Sequence, residues 1–109
     1  MKTFKIEVYG RVQGVNFRNN VKAFCDKKGI RGEIMNKDDG CVLIIAQSNE
    51  DKLQKLIEWI RKSPGFSRVE KIRKEHINTE KGYDCFEIVK EYSYLKDKEK
   101  ALGNLIRKL

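Results

Sequence analysis

The stretch that decides the fold is Thr3–Arg18, which reads TFKIEVY followed by GRVQGVNFR. In its first part Phe4, Ile6 and Val8 alternate with Lys5, Glu7 and Tyr9. That period of two is the signature of a half-buried strand. Gly10 and Gly14 follow at once and mark a shaped loop. Phe17, Val21 and Phe24 then recur at helical spacing, with Cys25 adjoining, and Gly29 stands where a helix C-cap belongs. The segment therefore predicts a strand, a glycine-bearing turn and a helix from about Phe17 to Lys28.

Working outward, Ile30–Lys37 reads as a second strand and Asp38-Asp39-Gly40 as a hairpin turn, because Asp-Gly tolerates positive φ. Cys41–Ala46 is apolar on both faces, as a central strand is. Ser48 offers an N-cap, with Asp51 three residues on. Leu53, Leu56, Ile57 and Ile60 form the apolar stripe of a second helix, which ends near Ser63-Pro64-Gly65. Val69–Ile77 is a fourth, poorly patterned strand and Cys85–Val89 a short fifth. The order βαββαβ with one extra strand predicts an α+β fold. It is a ferredoxin-like split β-α-β sandwich, an antiparallel sheet with two helices on one face.

On this reading residues 1–90 form the domain and residues 91–109 a C-terminal amphipathic helical tail. Leu95, Leu102, Leu105, Ile106 and Leu109 lie there at helical spacing, and Gly103 weakens the helix. The stripe fits packing on the domain or on a second chain as a dimer contact. The plain alternative is a frayed, solvated appendage.

Composition bounds the function. The chain has 109 residues, enough for one domain and one core. Charged residues reach 37 %, but the 39 % that are hydrophobic fall in patterned blocks, so the sequence reads as folded. No run approaches the ~18 apolar residues of a membrane span. Charges interrupt the N-terminal MKTFKIEVYG, which is unlike a signal peptide. Cys25, Cys41 and Cys85 are odd in number and widely spaced, which points to reduced thiols and a cytoplasmic protein. Twenty-four Lys and Arg against sixteen Asp and Glu give a net charge of +8. Excess positive charge favours anionic partners. The basic residues are scattered, which argues against a nucleic-acid arm. An RNA-recognition sheet of the same element order stacks bases on central-strand aromatics. Here the third strand has none, and Phe4 and Tyr9 fall on opposite faces of the first, so nucleic acid is not an expected partner.

The Gly10–Arg18 loop carries the clearest chemistry. A glycine turn opening into a helix leaves backbone N–H groups without intrachain acceptors, and the helix dipole adds to their pull on an anion. Arg18 brings a planar fork suited to a phosphoryl group, and Arg11 adds charge at the entrance. By spacing alone the signal is weak, since a glycine turn before a helix is more often only a turn. Asn36, ahead of the hairpin, is a second candidate, although an Asn beside a turn usually bonds its own backbone. His76 lies among charged neighbours with no nucleophile beside it in sequence and reads as solvent-facing. Trp59 reads as partly buried packing, and the cysteines as small core hydrophobes. No Cys/His spacing matches a zinc site, and no metal or other cofactor is expected.

Gly10-Arg11-Val12-Gln13-Gly14-Val15 with Phe17-Arg18 resembles the phosphate loop of the acylphosphatase family. Gly29-Ile30-Arg31-Gly32, then Asn36 and Asp39-Gly40, resembles its second motif. Ser67-Arg68-Val69-Glu70 and Phe86-Glu87-Ile88 look like its later landmarks. The resemblance spans about residues 3–90. It implies hydrolysis of the carboxyl–phosphate bond of a small-molecule acyl phosphate, without metal and without a covalent phosphoenzyme. Gly14, Val15, Asn16, Phe17 and Arg18 would bind phosphate, chiefly through loop amides, and Asn36 would orient the attacking water. Inorganic phosphate or sulfate would occupy the same place. Asn16 and Glu33 depart from the family's usual residues, Gly, Cys or an aromatic at the first and Trp at the second. The tail exceeds the usual family length. A second reading is a non-catalytic acylphosphatase-like domain that holds an anion, as part of a larger protein.

Overall fold

Alternating burial along the first strand sets up the whole sheet: Phe4, Ile6 and Val8 are buried, while the residues between them are more exposed. The computed structural model describes residues 1–90. The elements are β1 (Lys2–Arg11), α1 (Phe17–Lys28), β2 (Arg31–Asn36), β3 (Val42–Ser48), α2 (Glu50–Arg61), β4 (Arg68–Ile77) and β5 (Phe86–Ile88). They form one five-stranded sheet in the order β4-β1-β3-β2-β5. The strand apolar on both faces, β3, is the middle one. The expectations for residues 91–109, an amphipathic helix and a dimer contact, lie outside the described residues.

Register fixes the two faces. Ile6, Ile44 and Ile34 stand in one row across β1, β3 and β2, and Val8, Val42 and Asn36 in the next. Opposed residues share a face, so Asn36 ends a row of core side chains. Lys5, Ile45 and Glu33 form a row on the opposite face. Helix α1 packs over β2 and β5, and α2 over β3 and β4. The α2 stripe Leu53, Leu56, Ile57 and Ile60 is buried as the spacing predicts. Each such side chain stabilises the fold by about 1.5–3 kcal/mol. Trp59 is half-buried and stacks on Phe24 at 4.5 Å between ring centroids. Helix α1 ends on Gly29 in the left-handed region at φ 71°, the predicted cap.

Three expectations need correction. The sheet is mixed: four strands pair antiparallel, but β2 and β5 run parallel. Strand β4 is antiparallel to β1, and β2 has the direction of β1 because each is antiparallel to β3. A chain that leaves β4, crosses the end of the sheet and turns back must therefore meet β2 in parallel. Gln47 secures the crossing: its Nε2 donates to the Lys81 carbonyl at 2.6 Å and its Oε1 accepts from the Tyr83 N–H at 3.1 Å.

The N-cap of α2 is Asn49, whose Oδ1 accepts from the Lys52 N–H at 2.9 Å, while Ser48 is the last residue of β3, paired with Lys2. Of the three thiols, Cys25 and Cys41 are buried but Cys85 is exposed.

Gly32 belongs to the second motif for a steric reason. A Cβ there would lie 1.8 Å from the Ile45 carbonyl oxygen, at a φ of 144°. Only glycine lets β2 approach β3 at that point.

Candidate active site

Strand β1 runs into the loop at Arg11, and the loop delivers the chain to the N-terminus of α1. Val12 is buried at its start and Phe17 at its end, so two apolar side chains pin it to the core. Between them Gly14 has a φ of 73° and Asn16 a φ of 65°. Asn is among the few non-glycine residues that accept this left-handed geometry readily.

Asn16 is the N-cap of α1 but makes no side-chain cap bond, and the first turn carries no acidic residue. The Asn20 N–H closes the first helical bond, onto the Asn16 carbonyl at 3.2 Å. Among the described residues, the backbone N–H groups from Gly14 to Asn19 have no acceptor. Orphan donors at a helix N-terminus, with the dipole behind them, attract an anion.

A cavity of about 210 Å³ opens at this point, lined by Val12, Gly14, Asn16, Phe17, Arg18, Asn19 and Ile88. A water takes ~30 Å³ of the liquid, so the space has room for a group of several heavy atoms. Arg18 is half-buried in the wall. No carboxylate among the described residues pairs with it.

Four of the predicted phosphate-binding residues, Gly14, Asn16, Phe17 and Arg18, thus line one cavity. Val15 does not; it is half-buried and packs on the core. Asn36 is also absent from the lining. It sits at the end of β2 on the helix-covered face, two residues beyond Ile34, which pairs with the lining residue Ile88. Its Oδ1 is buried and is the one such side-chain atom without a hydrogen-bond partner among the described residues. A buried acceptor normally has a partner, whether protein, water or ligand.

Gln13 is the loop residue to which the sequence gives no role and the structure gives a clear one in holding the loop. Its Nε2 donates to the Lys37 carbonyl at 2.8 Å and to the Cys41 carbonyl at 2.9 Å. One amide therefore fastens the loop to both sides of the turn between β2 and β3, beside Asn36. The turn itself is held by the Asp39 carboxylate, which accepts from the Cys41 N–H at 3.0 Å. Side-chain and backbone bonds from Cys41 hold the Asp39 carboxyl below its ordinary range. Burial, aided by Asp39, pushes the Cys41 thiol up to about 11.

Glu33 does not face the cavity. It is buried on the helix-free side and accepts from the Tyr83 hydroxyl at 3.1 Å. A second hollow of about 180 Å³ lies there, between β2 and the segment Lys81–Glu87. Among the described residues no group of three or more His, Cys, Asp or Glu is placed to hold a metal ion. His76 is exposed and meets the Phe4 ring edge-on at 6.0 Å.

Fold and site together define a small α+β protein of ferredoxin-like architecture whose first helix, among the described residues, begins with backbone donors that have no acceptor. Residues 4–88 match the Acylphosphatase family along nearly the whole described domain. An acylphosphatase of Ligilactobacillus salivarius is 43 % identical over 90 residues, covering 81 % of this chain and 98 % of that protein. The crystal structure of acylphosphatase from Bacillus subtilis superimposes with a TM-score of 0.77 at 38 % identity, covering 82 % of this chain and 99 % of that one. HypF of T. kodakarensis also matches, with a TM-score of 0.72 at 29 % identity, over 82 % of this chain but 12 % of that protein. The chain belongs to the acylphosphatase family and is an enzyme of that kind.

Proposed function

We propose that the chain hydrolyses acyl phosphates to a carboxylate and inorganic phosphate without a metal ion, through the cavity at the head of α1. The observation that carries this reading is the set of backbone N–H groups from Gly14 to Asn19 and the Arg18 guanidinium, which among the described residues have no acceptor and no carboxylate partner. These donors suit the three phosphoryl oxygens, on which charge is redistributed as the bond to the acyl oxygen breaks. Arg18 binds the phosphoryl group in its fork. Asn36 accepts a hydrogen bond from the attacking water, for which its bare Oδ1 is suited. A carboxylate leaves readily, so positioning and charge stabilisation can supply most of the rate. The water's proton then passes to a phosphoryl oxygen.

The test is hydrolysis of benzoyl phosphate with and without a chelator, beside Arg18→Ala and Asn36→Ala. Turnover should survive the chelator and fall by about 10²–10³ in each variant. Loss of turnover on chelation, or a variant as active as the wild type, would overturn the corresponding assignment.

A domain of this kind forms a small part of a longer HypF chain. That favours, as the second reading, an anion-binding domain without useful turnover. Phosphate binding by a folded protein inert toward benzoyl phosphate would establish it.

A further inference from the structure

Asn16 and Asn19 stand together in the wall of the cavity. The Asn19 Nδ2 donates to the Asn16 Oδ1 at 2.5 Å. Asn16 occupies an N-cap position, yet its oxygen is turned to Asn19 rather than to a backbone N–H of the first turn. That arrangement leaves those N–H groups for an anion and uses the acceptor end of the Asn16 amide. The donor end, Nδ2, has no acceptor among the described residues. The backbone at φ 65° and ψ 18° fixes where the side chain begins.

Hydrolysis moves charge in two places. The water oxygen bonds to phosphorus while the bond from phosphorus to the acyl oxygen breaks. Its electron pair stays on the departing carboxylate, and the water's proton goes to a phosphoryl oxygen. The backbone amides and Arg18 serve the phosphoryl side. None of the roles assigned so far serves the carboxylate.

We propose that the Asn16 side-chain amide, oriented by Asn19, donates a hydrogen bond to the oxygen of the leaving carboxylate. The proposal rests on the acyl-phosphate reading. Asn16 is then catalytic through its side chain as well as its main chain, and Asn19 is a positioning residue. A donor aimed at charge that appears only as the bond breaks accelerates the step rather than merely tightening binding.

The test separates the two halves of the ligand. Calorimetric titration with phosphonoacetate, which carries a carboxylate beside its phosphonate, is compared with methylphosphonate, which does not. The variants are Asn16→Gly, Asn16→Asp and Asn19→Ala. Glycine suits the left-handed backbone, so Asn16→Gly keeps the loop and removes only the amide. It should bind phosphonoacetate about tenfold more weakly, with methylphosphonate within about twofold. Asn16→Asp should repel phosphonoacetate more strongly still, and Asn19→Ala should show a smaller loss of the same selectivity.

In turnover, Asn16→Gly should lose more rate on p-methoxybenzoyl phosphate than on p-nitrobenzoyl phosphate, whose carboxylate is the better leaving group. A purely structural change would lower both equally. Equal weakening of both phosphonates, or no weakening, overturns the proposal. A wild type that discriminates the phosphonates through Asn16 but turns over neither acyl phosphate would sink the hydrolase reading instead.

Discussion

Gln13 shows how a single side chain can join a binding loop to a distant turn. Its two acceptors are main-chain carbonyls 24 and 28 residues further along the chain. No pattern of side chains at the acceptors announces such a bond, which is why the sequence yields Arg18 and Asn36 as candidates but gives Gln13 no role. Both carbonyls keep a second donor, from Gly40 and Lys37 respectively, so truncation leaves neither bare. Gln13→Ala should lower stability by about 1–3 kcal/mol in urea unfolding, the worth of two hydrogen bonds. It should also lower kcat more than it raises the inhibition constant for inorganic phosphate, because it loosens the hairpin bearing Asn36 and spares the amides of α1. Equal changes in both would contradict that division. The exposure of Cys85 is hidden in the sequence for a different reason. It precedes the last strand, and with three residues in that strand there is too little alternation to say which side faces inward.

At the level of elements, the long periodic segments were legible and the junctions less so. The stripe of α2 and the cap of α1 follow directly from spacing and from Gly29. The start of α2 does not, since Ser48 and Asn49 are both good caps and only the pairing of Ser48 with Lys2 keeps it in the strand. The direction of β5 was hidden too, because it depends on where the chain crosses rather than on any residue within it.

The β1–β2 region also carries a pH dependence. Lys37 Nζ and a Glu7 carboxylate oxygen lie 3.1 Å apart on the sheet. The bond to Lys37 outweighs burial and holds the Glu7 carboxyl below its ordinary 4.5. The same bond raises the Lys37 ammonium above its ordinary 10.5. A lowered acid stabilises the fold above its unfolded value and ceases to as pH falls through the folded one; a raised base stabilises below its unfolded value and ceases to as pH rises through the folded one. The pair therefore contributes fully between about pH 5 and about pH 10. In that window Glu7→Gln should melt a few degrees below the wild type. The two melting curves should converge as the pH falls below the Glu7 value. A gap that persists in acid would mean that packing, not charge, holds Glu7.

Taken as a whole molecule, the chain carries a charge of +8 and a candidate site built for an anion. A positive field raises the encounter rate with an anionic substrate and is screened by salt. Raising potassium chloride from ~10 mM to ~150 mM shortens the screening length from ~30 Å to ~8 Å. Across that range kcat/KM for an acyl phosphate should fall several-fold, mainly through KM; a flat response would mean that only the local donors matter. The sheet also has two open ends among the described strands. An uncovered strand offers its free main-chain groups as a template for another molecule's strand. At one end the three residues of Phe86–Ile88 are too few to template much. At the other, the ten residues of Arg68–Ile77 would be long enough, but Arg68, Glu70, Lys71, Arg73, Lys74 and Glu75 crowd that border with charge. The weak hydrophobic patterning of that segment thus acts against one copy of the protein adding its strand to the next.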